Sequence, residues 1–260
     1  MTRTVSEMNS TRFSFRRLLA VAPLALALAA CGGEEGDTAA STSGPIDPIA
    51  APEGTSWTDT VTLSEEGGFV LGNPDAPIKL VEYASHTCGH CGTFSAEGKP
   101  PLKQDYISTG VVSLEQREVF LNFIDPVLAT LVQCGGPERA HALSDEVWAN
   151  LGQVMAGVQQ NPEAIQATGN LPDDQRLVRI AELAGFIDFF AARGLPADQA
   201  RMCLSDFDTV KAMVEQAETV AQEDEITGTP TFFVNGKRVD GTVWAAVEPA
   251  LQNAGARPAE

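Results

Sequence analysis

Cys88, Gly89, His90 and Cys91 follow an apolar run that reads as a strand and open a segment that reads as a helix. Two thiols three positions apart at a helix start can close a disulfide across one turn. The earlier thiol meets the helix N–H groups and the positive end of the dipole, which favour its thiolate and let it attack another disulfide near neutral pH. The pattern predicts disulfide exchange. A second chemistry is open to the same stretch, because His86, Cys88, His90 and Cys91 place four N and S donors within six residues, a set suited to zinc or copper. Against it, donors at one helix start project in different directions, and structural zinc sites usually draw on two separated segments.

The chain around this motif has 260 residues, 43% of them hydrophobic, which is enough for a substantial core. A formal charge of -18 and the absence of a basic stripe exclude nucleic acid as a partner, since phosphate binding needs the opposite sign. Arg3, Arg12, Arg16 and Arg17 precede the apolar run from Leu18 to Ala30, which is interrupted by Pro23 and is too short to span a bilayer. That order predicts an export signal over residues 1–30. Its ending, Leu28-Ala29-Ala30-Cys31, resembles the bacterial lipoprotein cleavage site, in which Cys31 would become the lipidated first residue. An ordinary cleaved signal with an incidental cysteine is the alternative. Residues 31–57 are then expected to be the lipidated cysteine and a flexible tether, because Gly, Glu, Thr, Ser, Ala and Pro dominate. Export to the periplasm or cell envelope makes disulfides persistent, so Cys134 and Cys203 are expected to form a structural pair, with two buried free thiols as the alternative.

The folded part is expected over residues 58–260. Val61 and Leu63 alternate, Phe69 to Leu71 follow, and a turn cluster over residues 72–77 leads into Ile78 to Tyr83, a mostly buried strand. Pro100 and Pro101 should bend or break the helix after Cys88. Val111 to Phe120 then carries the second strand of a βαβ unit. From about residue 126 to 221 the pattern becomes helical, with apolar stripes at Leu143, Val147, Leu151, Val154 and Val158, at Leu177, Ile180, Leu183, Ile187 and Phe190, and at Val210, Met213, Val214, Ala217 and Val220. Thr231 to Val234, the Asn235-Gly236 turn and Lys237 to Val239 read as a hairpin, and Val243 to Leu251 as a closing helix. The order predicts one α/β domain carrying a helical insertion.

Three blocks in this order resemble the DsbA-like branch of the thioredoxin superfamily: Gly72 to Pro77, Leu80 to Cys91, and Gly228 to Gly236. The resemblance covers the chain from about Trp57 to its end and implies a thioredoxin-like fold with an inserted helical domain. It implies thiol–disulfide oxidoreductase activity on exported proteins bearing thiols or disulfides, with no cofactor. By this likeness Cys88 is the exposed nucleophile and Cys91 the buried resolving thiol. His90 tunes the pair by stabilising the Cys88 thiolate. Thr229 and Pro230 form a cis-proline loop that presents backbone groups to a bound peptide. Glu82, an acid amid the apolar strand, is either an outward charge on an edge strand or, as the resemblance implies, a buried carboxyl with raised pKa that takes a proton from Cys91. A DsbB-like quinone-linked membrane partner is implied too. Gly89-His90 departs from the Pro-His common in bacterial oxidases and matches eukaryotic protein disulfide isomerases. Residues 32–57 are too short and polar for the dimerisation domain that isomerase-type relatives add, so disulfide donation is the expected direction.

Overall fold

Ile78, Leu80 and Glu82 alternate onto one buried face of strand β3 (Ile78–Ala84), while Lys79 points to solvent. The structure is a computed structural model that describes residues 44–259. Strand β3 pairs in parallel with β4 (Val112–Glu118), the βαβ arrangement expected from the sequence, and antiparallel with β5 (Thr231–Val234). Strands β1 (Val61–Leu63), β2 (Phe69–Gly72) and β6 (Lys237–Arg238) complete a six-stranded sheet of order β1-β2-β4-β3-β5-β6. β3 is therefore central, not an edge. Asn235 and Gly236 both take positive φ, 49° and 76°, so the two-residue turn matches the strand twist as its sequence predicts.

The connection between β3 and β4 starts with α1 (Gly89–Glu97) and continues through α2 (Lys99–Pro101) and a wide π-type turn over Leu102–Tyr106. Pro100 and Pro101 lie in the first turn of α2, where the missing N–H groups have no helical acceptor to lose. The interruption between α1 and α2 falls at Gly98, just before the prolines, and its backbone stays in the helical region (φ −95°, ψ −41°). Leu80, Leu114, Phe94, Phe232, Val247 and Leu251 pack between the sheet, α1 and the closing helix α11 (Trp244–Asn253) as one core.

Eight helices form the insertion: α3 (Asp125–Cys134), α4 (Pro137–Ala149), α5 (Leu151–Gln160), α6 (Pro162–Ala167), α7 (Asp173–Leu183), α8 (Phe186–Ala191), α9 (Ala197–Ser205) and α10 (Phe207–Glu223). The stripes that run through Val147 to Val154 and Leu183 to Ile187 each span two helices, broken at Asn150 and at Gly185, whose φ of 75° suits glycine. In the third stripe Val210 alone is buried. Met213, Val214, Ala217 and Val220 are half-buried on the walls of surface clefts, because α10 lies at the bundle's margin. Cys134 and Cys203 form a disulfide that ties the end of α3 to α9, with Cα atoms 6.1 Å apart.

The tether expected over residues 31–57 is corrected for its second half. The Ile46 N–H donates to Gly255 O (3.0 Å), the Ile49 N–H to Thr109 O (2.8 Å) and the Trp57 indole to Ile49 O (2.7 Å). Ile46 and Trp57 rest on the sheet core. Few large apolar side chains suffice here because the backbone finds fixed partners. The export signal and Cys31 lie outside the described residues, as does Arg16-Arg17. Among the described residues no helix is long and apolar enough to cross a membrane.

The disulfide closes a loop with a sequence separation of 69 residues, so Cys134→Ala with Cys203→Ala should lower stability by about 4 kcal/mol on chain-entropy grounds. Urea unfolding of the two proteins measures it, and equal midpoints would contradict the prediction.

Candidate active site

Cys88 is the N-cap of α1, and its extended backbone (φ −85°, ψ 118°) turns the sulfur over the open end of the helix. The Cys91 N–H donates to Cys88 Sγ at 3.3 Å. As a thiol, Cys88 donates in turn to Thr229 O at 3.3 Å. The Cys88 pKa falls to about 5, chiefly because the Cys91 thiol donates to it; burial opposes this, while the Thr229 side chain and the N–H groups of Cys91 and His90 assist. Cys91 moves the other way. Its donation to Cys88, its burial and the nearby Glu82 charge all hold the proton on its sulfur. Both cysteines are free thiols; Cys91 is fully buried as expected, whereas Cys88, expected to be exposed, is only 7% accessible because Thr229 packs against its sulfur.

The Thr229-Pro230 bond is cis. It brings the Thr229 backbone carbonyl to Cys88. His90 differs from the expectation in its means: its N–H reaches Cys88 from the first turn, while its side chain is exposed to water.

Glu82 lies on the core face of a central strand and is fully buried, which removes the edge-strand alternative. Its carboxyl oxygens have no hydrogen-bond partner, and Lys99 Nζ stands 3.9 Å away. Burial raises the Glu82 pKa to about 7, outweighing the Lys99 charge that pulls it down. Lys99 is itself 2% exposed. Its ammonium bonds Asp145 Oδ1 (2.9 Å) and Gln116 Oε1 (3.2 Å) and sits 4.4 Å from the centre of the Trp148 ring. Trp148, Ala84, Cys88 and Cys91 form an apolar cluster around the sulfurs.

His86 is buried away from the cysteines' reactive face. Its Nδ1 lies 3.2 Å from Glu118 Oε2, its Nε2 bonds Ser144 Oγ at 2.9 Å, and its ring stacks on Trp148. With His86 turned inward and His90 outward, the four donors considered for zinc or copper do not converge. Among the described residues no group of three or more His, Cys, Asp or Glu is arranged to hold a metal ion.

Sequence reasoning passed over Lys99, Asp145, Trp148 and Asp125. Nothing local marks them: Lys99 sits between Gly98 and Pro100 like any solvent lysine, and Asp125-Pro126 reads as an ordinary helix start. Only the packing of α2, α3 and α4 against the β3–α1 junction brings them to the cysteines.

An acid whose folded pKa is raised holds its proton to higher pH than in the unfolded chain, so the stability it permits is complete below the unfolded value and declines above it. For Glu82 that window runs from about 4.5 to about 7. In the reduced protein, Glu82→Gln should match the parent near pH 4 and exceed it by roughly 3 kcal/mol at pH 8, since each tenfold change in proton affinity is worth about 1.4 kcal/mol. Urea unfolding at both pH values tests this; a gap independent of pH would count against a buried, titrating carboxyl.

Comparison with known proteins places this geometry. A family model described as Thioredoxin matches residues 64–253. A putative protein-disulfide oxidoreductase of Rickettsia bellii is 26% identical over 192 residues, covering 72% of this chain and 66% of that protein. The chain thus spans just under two thirds of that curated relative. A solved structure described as a protein-disulfide isomerase from Novosphingobium aromaticivorans superposes with a TM-score of 0.65 at 30% identity, covering 70% of this chain and 94% of the other. A point variant of alpha-DsbA1 from Wolbachia pipientis gives 0.50 at 27% identity, over 66% of this chain and 76% of that one. On the family match and these neighbours, the chain belongs to the thioredoxin family, in its DsbA-like branch.

Proposed function

We propose that the chain is a thiol–disulfide oxidoreductase that donates disulfides to exported proteins through Cys88 and Cys91. The observation that carries this is the geometry of one helical turn: Cys88 caps α1 with the Cys91 N–H 3.3 Å from its sulfur, while Cys91 lies fully buried a turn deeper, which favours the thiolate at Cys88 and the thiol at Cys91. In the oxidised pair, a client thiolate attacks Cys88 Sγ, the Cys88–Cys91 bond breaks, and Cys91 leaves with the electron pair. Cys91 then takes a proton, which Glu82 can supply because its pKa of about 7 leaves it partly protonated at neutral pH. A second client thiolate attacks the client sulfur of the mixed disulfide and expels Cys88 as a stable thiolate. Two client thiols become one disulfide, and the enzyme pair is reduced. Stabilising the Cys88 thiolate stabilises the reduced enzyme, which makes the disulfide a stronger oxidant.

Thr229 stands beside the reacting sulfur, and its backbone is the proposed strand-like contact for client peptide, a mode that reads little sequence. Gly89-His90 and the isomerase name of the Novosphingobium structure favour isomerisation as a second reading. The equilibrium of the pair against glutathione separates the two. A thioredoxin-like potential near about −270 mV would sink the oxidase reading. Cys88→Ser should abolish both insulin reduction and client oxidation, and an active variant would sink the exchange reading.

For localisation, we propose a periplasmic or cell-envelope protein anchored by lipid on Cys31, with a DsbB-like membrane protein reoxidising Cys88. Leu28-Ala29-Ala30-Cys31 supports the anchor, and the Cys134–Cys203 disulfide fits an oxidising compartment. Cells fed labelled palmitate should label the parent and not Cys31→Ser; label retained in the variant contradicts the anchor.

A further inference from the structure

Asp125, the first residue of α3, is fully buried and takes no part in the chemistry above. Its carboxylate accepts from Ser85 Oγ (2.8 Å), Thr87 N (3.0 Å), Thr87 Oγ1 (3.1 Å), Leu121 N (2.8 Å) and Asn122 N (3.3 Å). The first three of those donors belong to the loop that delivers Cys88. Asn122 closes the clamp by donating to Thr87 Oγ1 at 2.8 Å.

Ser85 holds both Cys88 and the indole that packs against the redox pair. Its carbonyl accepts the Cys88 N–H (3.2 Å) and the Trp148 indole N–H (3.0 Å). Any displacement of Ser85 to Thr87 therefore moves the Cys88 sulfur relative to the Cys91 N–H that donates to it. We infer that Asp125 is a positioning residue for the redox pair: through Ser85 and Thr87, the first helix of the insertion holds Cys88 over the open end of α1. This rests on the reading of Cys88 as the nucleophile.

The sign of the effect distinguishes a clamp from a charge. A carboxylate acting only by its charge disfavours a neighbouring thiolate, so removing it lowers the Cys88 pKa; removing a clamp that aims donors at the sulfur raises it. His86 also feels the Asp125 charge.

The test is titration of the Cys88 thiolate by its ultraviolet absorbance in the reduced full chain, with the glutathione equilibrium measured alongside. The parent midpoint is expected near 5. In Asp125→Ala the midpoint should move up by about one on the pH scale, roughly tenfold less thiolate below it, and the equilibrium should move about tenfold toward the disulfide. A loss of stability alone moves neither readout. An unchanged or lowered midpoint in the folded variant overturns the inference. Should Asp125→Ala fail to fold, Ser85→Ala combined with Thr87→Val removes two of the donors and leaves α3 intact; a smaller rise supports the clamp and an unmoved midpoint overturns it. A parent midpoint in the ordinary thiol range overturns the nucleophile reading and this inference together, whereas a low parent midpoint with unmoved variants overturns the clamp alone.

Discussion

The Cys91 thiol and the Cys91 N–H both point at Cys88 Sγ across a single helical turn, and the asymmetry of the site follows from that geometry. One sulfur receives hydrogen bonds and the other gives them. The receiver sits at the end of α1, where unsatisfied N–H groups and the helix dipole already favour negative charge. The giver lies a turn deeper, against Ala84 and Trp148, where an ionised sulfur would be poorly solvated. Chain connectivity alone makes the two thiols unequal, so the rest of the fold has to deliver the β3–α1 junction intact.

Behind the sulfurs lies a set of charges that a core would ordinarily exclude. Glu82 and Lys99 are buried between β3, α2 and α4 with the half-exposed Asp145 at their margin, and a buried ion pair rarely stabilises a fold more than apolar side chains of the same volume would. Here the geometry is also loose: Glu82 is 3.9 Å from the ammonium and its oxygens are otherwise unpartnered. A carboxyl left in that state changes its proton affinity, and this is the property a thiol that must gain and lose a proton can use. The cost in stability and the chemical value have the same origin.

The helical insertion does more than cover the sheet. Asp125 of α3 grips the loop before Cys88, and α4 supplies Trp148, Ser144 and Asp145 to the loop, to His86 and to Lys99. A thioredoxin-like sheet carries the cysteines, while groups from the inserted bundle fix the surroundings of both. The Cys134–Cys203 link holds α3 to α9 within that bundle, so the helix that begins with Asp125 also ends on a covalent tie.

Much of this was legible in the residues. Strand β3, the helix start at Cys88, the Asn235-Gly236 hairpin and the helical block over about 126–221 are local matters of period, turn chemistry and capping, and each appears where its sequence places it. Cys88 and Cys91 were identifiable because three-residue spacing at a helix end constrains geometry without reference to the rest of the chain. Glu82 was visible as an anomaly in an apolar run, yet its burial depended on β3 being central, and strand order is a long-range property. Lys99, Asp145, Trp148 and Asp125 left no trace in the sequence, because their neighbours at the site come from elements many residues away and each would be unremarkable on a solvated surface. Residues 44–57 looked like a tether for the same reason: composition reports how much apolar surface a segment owns, but not the backbone partners that Thr109 and Gly255 hold ready for it. The sequence determined where a reactive pair of thiols would form, and the tertiary structure alone decided the charges and donors around them, since those depend on which distant side chains share one small volume.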